Sequence, residues 1–94
     1  MSVDNDLIEL ARTGIDAEVF TRSEFGKYLI GKAYSEISAA TDELVACDPE
    51  DAKANREIRN QIHVAKMFLT WLDEAVHVGR KAHDELHELE DLGG

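Results

Sequence analysis

His83 and His87 stand four residues apart. On a helix they stack on one face and can share a Zn²⁺ or similar ion, with Glu90 or Asp91 as a third ligand. Without metal they read as a solvated pair on an acidic helix end. Glu74-x-x-His77 has the spacing found in di-iron carboxylate bundles, where a second glutamate comes from a facing helix, and Glu24 is the candidate here. Helical phase opposes that reading. At about 100° per residue, Glu74 lies about 180° and His77 about 120° from the middle of the apolar stripe described below. Both point away from the core into which such a site projects its ligands.

Other reactive residue types are sparse. Cys47 is the single cysteine, so no internal disulfide forms, and no base lies beside it in sequence to lower its pKa. It reads as a small buried hydrophobe. His63 falls on the outer face, and Ser23, Ser35 and Ser38 have no histidine at a spacing that makes a nucleophile–base pair. No strand precedes a glycine-rich phosphate loop. These residues predict no enzyme, no bound cofactor and no resident metal.

What must position any site is a pair of heptad stripes. Gly26, Ile30, Ala33, Ile37, Ala40, Leu44 and Cys47 recur at spacings of four and three. Ile58, Ile62, Ala65, Leu69, Leu72, Val76 and Gly79 do the same after the sole proline, Pro49. Only helices put such positions on one side. The prediction is an all-α protein. Its centre is an antiparallel, coiled-coil-like helical hairpin with a short N-terminal helix, associating into a helical bundle.

The 94 residues make one domain, with a short helix over 4–12, a first long helix over 22–46 and a second over 49–91. Gly14 is the expected stop of the short helix, followed by a connector over 15–20. Thr21 and Glu24 read as a capping box for the first long helix, with Phe20 and Phe25 as its hydrophobic staple. Asp48 reads as the cap of the second, with Pro49 at its first position. Gly79 is expected near Phe20 or Phe25, where the first long helix begins. The 4–12 helix is the expected cover for Leu86, Leu89 and Leu92.

The second long helix carries another apolar row, Val64, Phe68, Trp71, Ala75, Val78 and Ala82, about a quarter-turn from the first. A hairpin that buries one stripe leaves this row wet. A helix over 4–12, about 13 Å long, is too short to cover it. Val64, Phe68, Trp71, Ala75 and Val78 are therefore the expected oligomer interface. The competing arrangement is a hairpin rolled to share both rows in one broad core.

Twenty acids against ten bases give a formal charge of −10, which argues against general affinity for nucleic acid or anionic membrane. Residues 41–52 and 84–91 carry acids and no Lys or Arg, whereas 53–81 carry six bases against three acids. The pattern reads first as a solvated helix surface, with complementary packing between copies of the chain as the alternative. No apolar run is long enough to span a bilayer, and no signal-type segment follows the acidic first residues, so the expectation is a cytoplasmic protein.

The segments Ser23-Glu24-Phe25-Gly26-Lys27-Tyr28-Leu29-Ile30, Asp48-Pro49-Glu50-Asp51, Arg56-Glu57-Ile58 and Phe68-Leu69-Thr70-Trp71-Leu72-Asp73-Glu74-Ala75, closed by Gly79, resemble those of a group of small acidic helical proteins. These belong to tailed bacteriophages and prophages and are encoded among head and DNA-packaging genes. The resemblance covers about residues 20–90 and lies in packing residues. It implies a non-enzymatic part in particle assembly or packaging, in the bacterial host cytoplasm or the virion, with other phage structural proteins as partners. Two other functions stay open: an acidic inhibitor of a host protein that imitates nucleic acid, and a ferritin-like metal protein assembled across subunits.

Overall fold

The computed structural model describes residues 3–93, which form three helices: α1 (Val3–Arg22), α2 (Glu24–Ala46) and α3 (Ala52–Gly93). The described residues contain no strand. The chain divides into two compact units. One comprises Met1–Ser23 with Trp71–Gly94, the other Glu24–Thr70.

The first unit joins α1 to the C-terminal part of α3. Leu7, Ala11 and Ala82 form its buried cluster, with Leu86 packed against them. Further along, Gly14 meets Gly79 backbone to backbone. A Cβ built on Gly14 would lie 2.6 Å from the Cα of Gly79 and 3.0 Å from the carbonyl oxygen of Ala75. A Cβ on Gly79 would lie 2.5 Å from the Cα of Gly14 and 3.0 Å from the carbonyl oxygen of Leu10. Leu10 meets Gly79, and Gly14 meets both Gly79 and Ala75, so the two segments run in opposite directions. Arg80 Nε, next to Gly79, donates to Glu18 Oε1 at 2.6 Å.

This unit corrects four expectations. Gly14 does not end a helix over 4–12, because α1 runs on through 15–20 to Arg22. A glycine stops a helix only where the chain must turn. Here it is buried within one, and its missing side chain lets α3 approach. Thr21 lies inside α1 and its hydroxyl donates back to the Glu18 carbonyl at 2.7 Å, so it does not stand at the start of α2 as a cap. Ser23 alone separates α1 from α2, with its own N–H still bonded to the carbonyls of Val19 and Phe20. Gly79 lies against Gly14 and not against a phenyl ring. Of the three leucines expected under α1, Leu86 is packed and Leu89 and Leu92 are exposed.

The second unit joins α2 to the first part of α3 through residues 47–51. The carbonyl of Asp48 accepts the N–H of Asp51 at 3.0 Å, which closes a four-residue turn with Pro49 in its second position. Asp48 Oδ1 accepts the Glu50 N–H at 2.9 Å, and Asp51 Oδ1 accepts the Ala54 N–H at 3.1 Å. Asp51 is thus the cap of α3, where Asp48 was expected. The fixed φ of proline suits the turn as well as a first helical position, and the chain uses it in the turn. Asn55 ties the turn to the helix: its Nδ2 donates to the carbonyls of Asp48 and Asp51 at 3.0 and 2.9 Å. Cys47 is half-buried beside it, its thiol 3.7 Å from the Asp48 carbonyl.

The stripe residues of α2 are its inward positions. Gly26, Ala33 and Ala40 are buried, and Ile30, Ile37, Leu44 and Cys47 half-buried. On α3, Ile58, Ile62, Ala65 and Leu69 are half-buried in this unit, and Leu72 and Val76 in the other. Among the described residues, no large side chain is fully buried and no polar side chain is buried.

Gly31, on the outer side of α2, has nothing within 4 Å of a built Cβ. Gly31→Ala should therefore stabilise the chain by about 1 kcal/mol through helix propensity. Gly79→Ala gains the same propensity, yet its methyl meets the backbone of Gly14. It should destabilise by about 1–3 kcal/mol in urea or thermal unfolding. Equal shifts in the same direction would refute the close crossing. Asp51→Ala should cost about 1 kcal/mol in the same assay as the loss of a helix cap.

Candidate interface on the third helix

The five residues expected to form an interface all lie on α3, at steps of four and three. Val64 and Phe68 belong to the α2 unit; Trp71, Ala75 and Val78 belong to the α1 unit. Val64 is 60% exposed, Trp71 60% and Val78 40%. Phe68 and Ala75 are half-buried. The split follows helix geometry. Val64, Trp71 and Val78 are seven residues apart, which returns them to almost the same azimuth. Phe68 and Ala75, four residues after an exposed member, sit about 40° further round. Ala82, which continues the row, is only 2% exposed because α1 covers it. The cover comes from Leu7 and Ala11, which lie within the first part of α1.

Within the α2 unit, Val64 and Phe68 line an open groove of about 440 Å³, together with Ala65 and Asn60 of α3 and Leu29 and Ala33 of α2. Lys32 and Glu36 stand on its α2 side and pair with each other at 3.7 Å. The groove is apolar at its floor and polar at its edge, the composition of a helix-docking surface.

Sequence reasoning missed a second apolar strip. Ile8, Ile15 and Val19 on α1 are exposed, and their spacings of seven and four place them on one side of that helix. Reading 15–20 as a connector hid it. An uninterrupted helical period through Gly14 was the signal that would have found it.

The metal candidates do not converge. Glu74, His77, His83 and His87 are exposed, as are Glu24 and His63. His83 Nδ1 lies 4.0 Å from Asp84 and His87 Nδ1 4.0 Å from Glu90, both beyond hydrogen-bond reach. Among the described residues, no group of three or more His, Cys, Asp or Glu side chains is arranged to hold an ion. A second concavity, of about 360 Å³, lies over the Gly14–Gly79 crossing, where Arg80 and Glu18 already satisfy each other. None of the helices is long and apolar enough to cross a membrane.

No protein-family model matches the chain, and neither a characterised protein nor a solved structure matches it.

Chelation should leave folding unchanged. A structural metal couples binding to folding, so its removal lowers the melting temperature. Identical melting curves with and without EDTA are expected, with far less than one transition-metal ion per chain by elemental analysis.

Proposed function

We propose that this chain is a non-enzymatic assembly protein of a tailed bacteriophage or prophage. It acts through helix–helix contacts, first with further copies of itself and then with other structural proteins of the particle. In this reading α2 and α3 make an antiparallel hairpin and the hairpins associate into a helical bundle. The protein works in the host cytoplasm or in the virion and touches neither nucleic acid nor membrane directly.

The observation that carries the association is the exposure of large apolar side chains on α3 in each unit, Val64 in one and Trp71 and Val78 in the other. A buried aromatic side chain removes 150–250 Å² from water, and leaving most of Trp71 wet forgoes that stabilisation. The hairpin is supported by the groove, whose Ala33 and Ala65 each lie 16 residues from Pro49. The phage setting rests on the resemblance of residues 20–90. A charge of −10 fits a protein that meets other proteins and not a polyanion.

Light scattering and circular dichroism across a concentration series test this reading. The wild-type protein should be oligomeric, and Trp71→Ala should weaken association by about 2 kcal/mol or more while helix content at high concentration is kept. A wild-type monomer at every concentration would sink the association. Loss of helix and of mass at the same point in the variant would make folding and association one event.

A further inference from the structure

We infer that the outer face of α2 is a contact between copies of the chain, in which two α2 helices lie antiparallel about a two-fold axis between Tyr34 and Ser35. The surface lies wholly within the unit of residues 24–70 and uses none of the α3 row.

The face is set by helical phase. Lys27, Gly31, Tyr34, Ser38, Asp42 and Val45 recur at steps of four and three. At about 100° per residue they fall within about 45° of one line, about 120° round the helix from the stripe that α2 buries. All six are exposed, Tyr34 by 61% and Val45 by 84%. Gly31 is the odd member. A glycine in mid-helix weakens the helix, and nothing in its own chain uses the space, since no atom lies within 4 Å of a built Cβ. It sits in an open concavity of about 450 Å³ bordered by Lys27, Tyr28, Lys32 and Ser35. Gly14 and Gly79 show what such a gap admits in this protein, the close approach of a second helix.

Charge on the face itself selects the occupant and its direction. The base on this line is Lys27, and the acids are Asp42 and, at the first residue of α2, Glu24. Among the described residues, neither Lys27 nor Asp42 has an ion-pair partner in its own chain. With the axis between Tyr34 and Ser35, residues whose numbers sum to 69 stand level across the contact. Lys27 is then level with Asp42 of the second copy, and the pair occurs twice. Gly31 is level with Ser38, and the two Tyr34 side chains stand beside each other at the axis. Glu24 falls at the end of the contact, level with Val45. A parallel pair sets Lys27 beside Lys27 and Asp42 beside Asp42, which repels. Matching Lys27 with Glu24 overlaps only the first turn of each helix. The face is therefore self-complementary, as a two-fold contact requires, and a second copy is the occupant it fits.

Cysteine pairing tests the register in a Cys47→Ala background. Gly31→Cys and Ser38→Cys chains are oxidised separately and as a mixture, with circular dichroism confirming that each is folded. The mixture should cross-link and neither variant alone should. Two copies of residue 31 lie about 10 Å apart along the antiparallel axis, and a disulfide needs Cα atoms within about 7 Å. Self-linking of each variant without linking in the mixture would establish a parallel contact and overturn the proposal, as would no linking at all. The same linking should persist when Trp71→Ala is added; its loss there would tie it to the α3 association and overturn its independence. A charge exchange needs no cysteine. Lys27→Glu should raise the dissociation constant at least about fivefold, because acid then meets acid, and adding Asp42→Lys to the same chain should restore it. Both side chains are exposed, so folding is spared. A double variant that associates no better than Lys27→Glu alone would overturn the pairing.

Discussion

The contact of Gly14 with Gly79 shows the constraint under which this protein is built. Two helix backbones meet where neither has a side chain, and a methyl group on either would fall within 2.6 Å of the other's Cα. The same preference for small residues runs through both units. Ala11, Ala17 and Ala82 are buried in one, Gly26, Ala33 and Ala40 in the other. Helix separation depends on the side chains at the contact, and glycine and alanine permit the closest approach. Such a seam fills with backbone and methyl groups and has no room for large side chains. Apart from Leu7, leucine, isoleucine and valine among the described residues are displaced to its flanks, where they are half-buried or exposed.

Among the described residues no large side chain is fully buried, and small domains with little core commonly gain stability by association. The surplus apolar surface is ordered along helix edges, at Val64, Trp71 and Val78 on α3 and at Ile8, Ile15 and Val19 on α1. Polar contacts act differently. Arg80 with Glu18 fixes α1 beside α3, and Asn55 with Asp48 and Asp51 fixes the turn. These are exposed or partly exposed pairs, which add modest stability and mainly set geometry.

The sequence by itself determined which faces turn inward. Every member of the two heptad stripes is buried or half-buried, from Gly26 to Cys47 and from Ile58 to Gly79, because helical periodicity is a local property that any packing must respect. Of the second row it marked on α3, Val64, Trp71 and Val78 are exposed, Phe68 and Ala75 are half-buried and Ala82 is buried. Tertiary structure decided what a local signal leaves ambiguous. Gly14 reads as a stop and is a contact; the difference is the arrival of Gly79 from a segment far away in sequence. Asp48 and Asp51 are equally good caps by residue type, and the closure of the turn through the Asp48 carbonyl chose Asp51. Thr21 and Glu24 match a capping box, but α1 continues through Thr21 and its hydroxyl turns back to Glu18. Periodicity is written into the chain residue by residue. Where a helix ends, and which backbone a glycine admits, depend on groups brought together only by folding.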